Sequence, residues 1–152
     1  MWYIPTRDTV LCDLIKLSPV SISFVSKINI SFTANAITIG AFYSKQDGQV
    51  KTYIEVLNSL SKYQKIATLL HEIGHAKCDM KKCKCISVCS AEGEIHAYEY
   101  TLMWLLKNKQ KKVLKVEMKR IKNNRDRIDY YGKAAKAIMK LKLWQKCLDY
   151  VK

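Results

Sequence analysis

The chain has 152 residues and a formal net charge of +14, enough length for one domain, or one domain with an appendage, around a proper core. No apolar run reaches the roughly 18 residues of a membrane span. "MWYIPTRDTV" lacks the basic start and long apolar region of a signal peptide, so a soluble, cytoplasmic protein is expected. Six cysteines in such a compartment are expected as thiols or metal ligands rather than as a disulfide framework.

The N-terminal extension, residues 1–19, contains "DTVLCDLIKL", which reads as a short helix packed on the core. "VSISFVSKINISF" (Val20–Phe32) alternates apolar and polar residues as a strand does. "ITIGAFYS" (Ile37–Ser44) and "VKTYIEVL" (Val50–Leu57) are rich in β-branched and aromatic residues. "KQDGQ" between them carries an Asp-Gly turn signal, which predicts a hairpin. A small antiparallel or mixed sheet is therefore expected.

A helix over about 61–77 follows. Ser61 and Gln64 have capping-box spacing, and Ile66, Leu69, Leu70 and Ile73 recur with helical period. This helix carries "HEIGH". His71 and His75 are four residues apart, so a helix turns them to one face at a separation suited to sharing one metal ion. Glu72 lies about 100° round the axis, where it can reach a metal-bound water without being a ligand. Two ligands and one general base make the H-E-x-x-H zinc hydrolase pattern. Gly74 is costly inside a helix and leaves room for another segment to approach.

"CDMKKCKCISVC" then spaces Cys78, Cys83, Cys85 and Cys89 by four, one and three residues, unlike a zinc ribbon. The four thiols could form a second, structural zinc site, or remain free or redox-sensitive. Cys12 and Cys147 are expected as core fillers.

A second helix is expected from near Ser90 to about Lys112, or on through "VLKVEMKRI", with Ile95, Tyr98, Leu102, Leu105 and Leu106 as its apolar stripe. It must supply a third zinc ligand, because two histidines do not hold a catalytic zinc. Glu94 shares spacing with Tyr98, Thr101 and Leu105, so it faces the core and is the first choice. His96, on a more polar face with Glu92 and Glu99, is the alternative. "NNRDR" reads as a break, and Ala137, Leu141, Trp144, Leu148 and Val151 mark a last amphipathic helix.

"GAFYS", "TYIEV", "KIATLLHEIGH" and "EGEIHAYEYTLM" together resemble the ImmA/IrrE-like metallopeptidases, small thermolysin relatives in the gluzincin group. The resemblance covers roughly Gly40–Leu106. Those proteins follow HExxH with a helix bearing Glu-Ala-Asn-x-Phe-Ala-x-x-Leu-Leu. Here Glu94 matches the ligand glutamate, Tyr98 the aromatic and Leu102-Met103 the apolar pair. Ile95, His96, Glu99 and the cysteine-rich insert depart from the pattern. The chain also resembles small metallopeptidase-like proteins of phage genomes, which would place it in the host cytoplasm. The resemblance implies a zinc-dependent metallopeptidase of α+β class: a small sheet packed on the active-site helix (residues 1–106), then a helical C-terminal segment (residues 107–152) packed on it or extending from it. Glu72 is the expected base, with His96, Tyr130 or Tyr131 as donor to the tetrahedral oxyanion.

The C-terminal segment has sixteen Lys and Arg residues against Glu117, Asp126, Asp129 and Asp149, a net +12, which leaves +2 for the rest. Such a segment suits nucleic acid or an acidic protein partner, although "KNKQKKVLKVEMKRIKNNR" has no aromatic residues for base stacking. Two other functions remain open beside a peptidase acting on a protein or peptide. One is a SprT-like DNA-associated protease, which would need His96 as third ligand. The other is a nucleic-acid-binding protein with a closed, structural zinc site.

Overall fold

The computed structural model describes residues 8–27, 41–45, 52–80 and 90–152. Helix α1 (Thr9–Leu17) starts where the Asp8 carboxylate accepts from the amides of Val10 and Leu11, at 3.0 and 3.2 Å. It ends at Ser18, extended as a residue before proline must be. Leu11 and Leu14 are its buried face.

Among the described residues the sheet has three strands, β1 (Ser21–Val25), β2 (Ala41–Lys45) and β3 (Thr52–Leu57), in the order β1-β3-β2. β2 and β3 pair antiparallel with Tyr43 opposite Ile54, as the hairpin expectation requires; the turn itself lies outside the described residues. β1 runs parallel to β3, with Ile22 opposite Ile54. The sheet is therefore mixed, and a purely antiparallel arrangement is excluded. On the central strand Ile54 and Val56 are buried while Tyr53 and Glu55 are half-buried, so one face carries the core.

Helix α2 (Lys62–Met80) lies on β2 and β3. Its start is a reciprocal capping box: the Gln64 amide donates to Ser61 Oγ at 3.3 Å, and the Ser61 amide to Gln64 Oε1 at 3.0 Å. Helix α3 (Ala91–Lys107) is capped by Ser90 Oγ, which accepts from the Gly93 amide. It packs along α2.

Helix α3 ends earlier than the apolar periodicity suggests. Lys109 takes a left-handed conformation at φ 56°, with its amide donating to the Leu106 carbonyl and the Gln110 amide to the Leu105 carbonyl. These two bonds form a Schellman-type stop. It is invisible in the sequence because lysine stands where glycine is the usual signal. Helix α4 (Lys111–Asn124) then folds back on α2 and α3.

The break expected at "NNRDR" lies between α4 and α5 (Tyr130–Ile138). Asp129 caps α5 through the amides of Tyr131 and Gly132. A Cβ on Gly132 would sit 1.8 Å from the Arg127 carbonyl oxygen, so only glycine fits there. The single last helix expected from the sequence is two, because Leu141 is extended and separates α5 from α6 (Lys142–Val151).

One hydrophobic cluster joins Leu11 and Leu14 to Ile54, Ile73, Leu102, Leu114, Ile138 and Trp144, so the C-terminal helices pack onto the same core. Cys147 is buried in that core and Cys12 is half-buried. No helix of the described residues is long and apolar enough to cross a membrane.

Candidate metal centre

The histidines of "HEIGH" lie mid-way along α2, on the face turned to α3. Their imidazole rings meet edge to face, with centroids 4.7 Å apart, and the two Nε2 atoms are 3.1 Å apart. Glu94 enters from the first turns of α3. One carboxylate oxygen lies 2.9 Å from His71 Nε2 and the other 3.3 Å from His75 Nε2. All three residues are buried.

Gly74 makes this approach feasible. A Cβ there would lie 2.9 Å from Ala97 Cα and 3.2 Å from the Ala97 carbonyl oxygen, so the two helix backbones are nearly in contact one turn below Glu94. A side chain at 74 would hold α3 away from the histidines.

Three ligand atoms within 4.8 Å of one another, drawn from residues 23 apart in sequence, could hold a metal ion. The donor set fits one. Ligands about 2.05 Å from a tetrahedral ion are separated by roughly 3.3 Å, close to the 2.9–3.3 Å found here. A cation would also satisfy three electron-rich atoms that converge in a desolvated place.

The electrostatics are those of a tightly coupled group. Burial pushes Glu94 up, but His71 and His75 outweigh it and hold the carboxyl well below its ordinary range. Burial lowers His71, which favours the neutral, ligating imidazole. Burial also opposes charge on His75, yet its bond to Glu94 and the attraction of Glu72 and Glu94 raise it.

Glu72 is buried beside this group and outside it, acting electrostatically on His75 and Tyr131. Tyr131, on α5, has its phenol pushed well above the usual value by burial, by a bond with Tyr130, and by the Glu94 and Glu72 carboxylates. The Tyr130 and Tyr131 rings lie 4.4 Å apart.

His96 is exposed, two residues and about 200° round α3 from Glu94. The structure does not bring it to the histidines, either as third ligand or as a donor beside them. Glu92 is exposed and Glu99 half-buried. Of the cysteine cluster, Cys78 is half-buried near the end of α2, while Cys83, Cys85 and Cys89 lie outside the described residues.

Behind the centre stands a group that sequence reasoning missed. The Tyr98 ring packs on His71 with centroids 4.9 Å apart, and the Arg120 guanidinium carbon lies 5.8 Å from the Tyr98 centroid. Arg120 donates to the wholly buried Glu117 at 2.7 Å. Tyr98 accepts a long 3.4 Å contact from Asn124, and burial pushes its phenol up to about 12. The signal was present: Glu117 falls within the apolar stripe of Val113, Leu114, Met118 and Ile121. A charge there needs a buried partner, and Arg120 stands one turn on.

No family model matches the chain, and neither a curated protein nor a solved structure matches it.

Proposed function

We propose that the chain is a zinc-dependent metallopeptidase of gluzincin type that hydrolyses peptide bonds in a protein or peptide substrate. The observation that carries this reading is a buried His71–His75–Glu94 group with a separate carboxylate, Glu72, on the next helical position. A His₂Glu donor set would suit zinc, and it has the composition of the three-ligand catalytic sites rather than of the four-ligand structural ones. When bound, zinc supplies a Lewis acid that polarises a carbonyl and acidifies water.

His71 Nε2, His75 Nε2 and a Glu94 oxygen would hold the ion. Glu72, which is not one of these three ligands, takes a proton from the attacking water at its carboxylate and returns it to the leaving amine. Tyr131 remains a protonated phenol near both carboxylates, which suits it to donate to an oxyanion. Tyr98 fixes the plane of the His71 ring from behind. The SprT-like alternative lacks support, since its third histidine would be the exposed His96.

The test is metal content together with hydrolysis of a broad peptide library. Wild type should carry zinc that the His71→Ala/His75→Ala variant loses. Glu72→Gln should keep the zinc and the fold and lose hydrolysis. Equal zinc in wild type and the double variant would refute the centre. Undiminished hydrolysis by Glu72→Gln would refute the mechanism.

A further inference from the structure

Helix α4 has two unlike faces. Val113, Leu114, Glu117, Met118 and Ile121 are buried against the core. Lys111, Lys112, Lys115, Lys119 and Lys122 are all exposed, and at 100° per residue they fall within an arc of about 100° on the opposite side. The helix's only acidic residue is Glu117, which is buried and bound to Arg120. The solvent face of α4 is therefore five cations and no anion.

That face opposes the stability of its own helix. Lys111 with Lys115, and Lys115 with Lys119, are like charges at i,i+4; Lys112 with Lys115, and Lys119 with Lys122, are like charges at i,i+3. All four spacings are unfavourable. Lys111 and Lys112 sit in the first turn, against the helix dipole, and Gln110 makes no side-chain cap there. Lys109, just before, is held in a left-handed conformation that lysine rarely adopts.

The four acidic residues of this region are each paired with another cation. Arg120 binds Glu117, Arg125 binds Asp126, Arg127 binds Asp129, and Lys152 binds Asp149. Among the described residues none of the five α4 lysines has an anionic partner. Several local rules are broken together on one surface, which is expected of a binding face rather than of a solvated one.

We propose that the lysine face of α4 binds the phosphate backbone of double-stranded nucleic acid without reading its sequence. Lys111 to Lys122 spans about 16 Å, a length over which duplex DNA presents about ten phosphates. α4 has no aromatic side chain, so it offers nothing for unpaired bases to stack on. The lysines leave the side of α4 away from α2, so a duplex there does not compete with the His71–His75–Glu94 group.

The experiment measures binding of the whole chain to a labelled 30-base-pair duplex of mixed sequence across a salt series. With all five lysines on phosphates the slope of log K against log salt is about −4.5, and affinity falls about 500-fold between 50 and 200 mM salt. Lys112→Gln/Lys115→Gln/Lys119→Gln should flatten the slope by about 2.7 and weaken binding about a hundredfold at physiological salt. It should melt no lower than wild type, because repulsion is relieved and glutamine is as good a helix former. The comparison variant, Lys136→Gln/Lys142→Gln/Lys146→Gln, removes the same charge from α5 and α6 and should weaken binding less than threefold. Equal loss in both variants would reduce the effect to diffuse attraction and overturn the proposal. Failure of wild type to bind duplex at physiological salt, or tighter binding of polyglutamate than of duplex, would overturn it as well.

Discussion

Replacing Gly74 by alanine should weaken the proposed metal centre without touching one of its candidate ligands. The added Cβ would lie 2.9 Å from Ala97 Cα, 3.2 Å from the Ala97 carbonyl oxygen and 3.3 Å from Tyr100 Cβ. Carbon atoms pack at about 3.5 Å or more, so α3 must retreat by about 0.6 Å. The two nearest atoms are backbone and cannot rotate aside. Overpacking of this kind costs about 1–3 kcal/mol, while alanine for glycine inside a helix returns about 1 kcal/mol. The net expectation is a loss of about 1 kcal/mol. The larger consequence is at Glu94, one turn from Ala97, whose oxygens lie 2.9 and 3.3 Å from the histidine nitrogens. Ligand distances tolerate about 0.2 Å, so affinity for the proposed zinc should fall about tenfold or more. Urea denaturation of the metal-free protein and zinc competition against a chelator measure the two effects separately. A variant about 1 kcal/mol more stable than wild type, with unchanged zinc affinity, would refute the close approach of α2 and α3.

Other substitutions probe neighbouring parts of this account. Arg120→Met strands the buried Glu117 carboxylate and should cost about 3–5 kcal/mol, whereas Glu117→Leu/Arg120→Met should recover most of it in the same urea assay; equal losses would contradict a buried pair. Asp8→Ala removes two cap bonds on α1 and should cost about 1 kcal/mol, with little more from Lys62, whose side chain is 64% exposed. The bond from Lys62 holds the Asp8 carboxyl below its ordinary value. Its contribution is therefore present above the unfolded carboxylate value near 3.9 and disappears as pH falls through the lower folded value. The stability gap between wild type and Asp8→Ala should be full at neutral pH and close in strong acid; a gap that widens on acidification would reverse the argument. His96→Ala should leave the proposed zinc binding and peptide hydrolysis as they are in wild type, and loss of either through this substitution would return His96 to the site.

Local geometry made part of this protein legible as sequence. The i,i+4 spacing of His71 and His75, the Ser61–Gln64 capping box and the facing of Glu94 with Tyr98 and Thr101 are consequences of helical pitch alone, and all are present. The antiparallel pairing of β2 with β3 likewise follows from short-range pattern; of the strand expected over Val20–Phe32, Ser21–Val25 is one, the chain bends at Ser26 and Lys27, and residues 28–32 lie outside the described residues. Features set by packing were hidden. Glu94 was already the first choice from helical facing, but how closely the two backbones meet at Gly74 and Ala97 to bring it to the histidines is a contact between segments 23 residues apart that spacing does not give. The parallel pairing of β1 with β3 depends on the route of the chain between them, which alternation does not encode. α3 ends at Lys107, just before the left-handed Lys109, and α5 and α6 separate at Leu141, with neither glycine nor proline to mark the turns. There the core rewards a folded-back chain more than a continued helix, because turning brings Val113, Leu114, Trp144 and Cys147 onto the same buried cluster as Ile73 and Leu102.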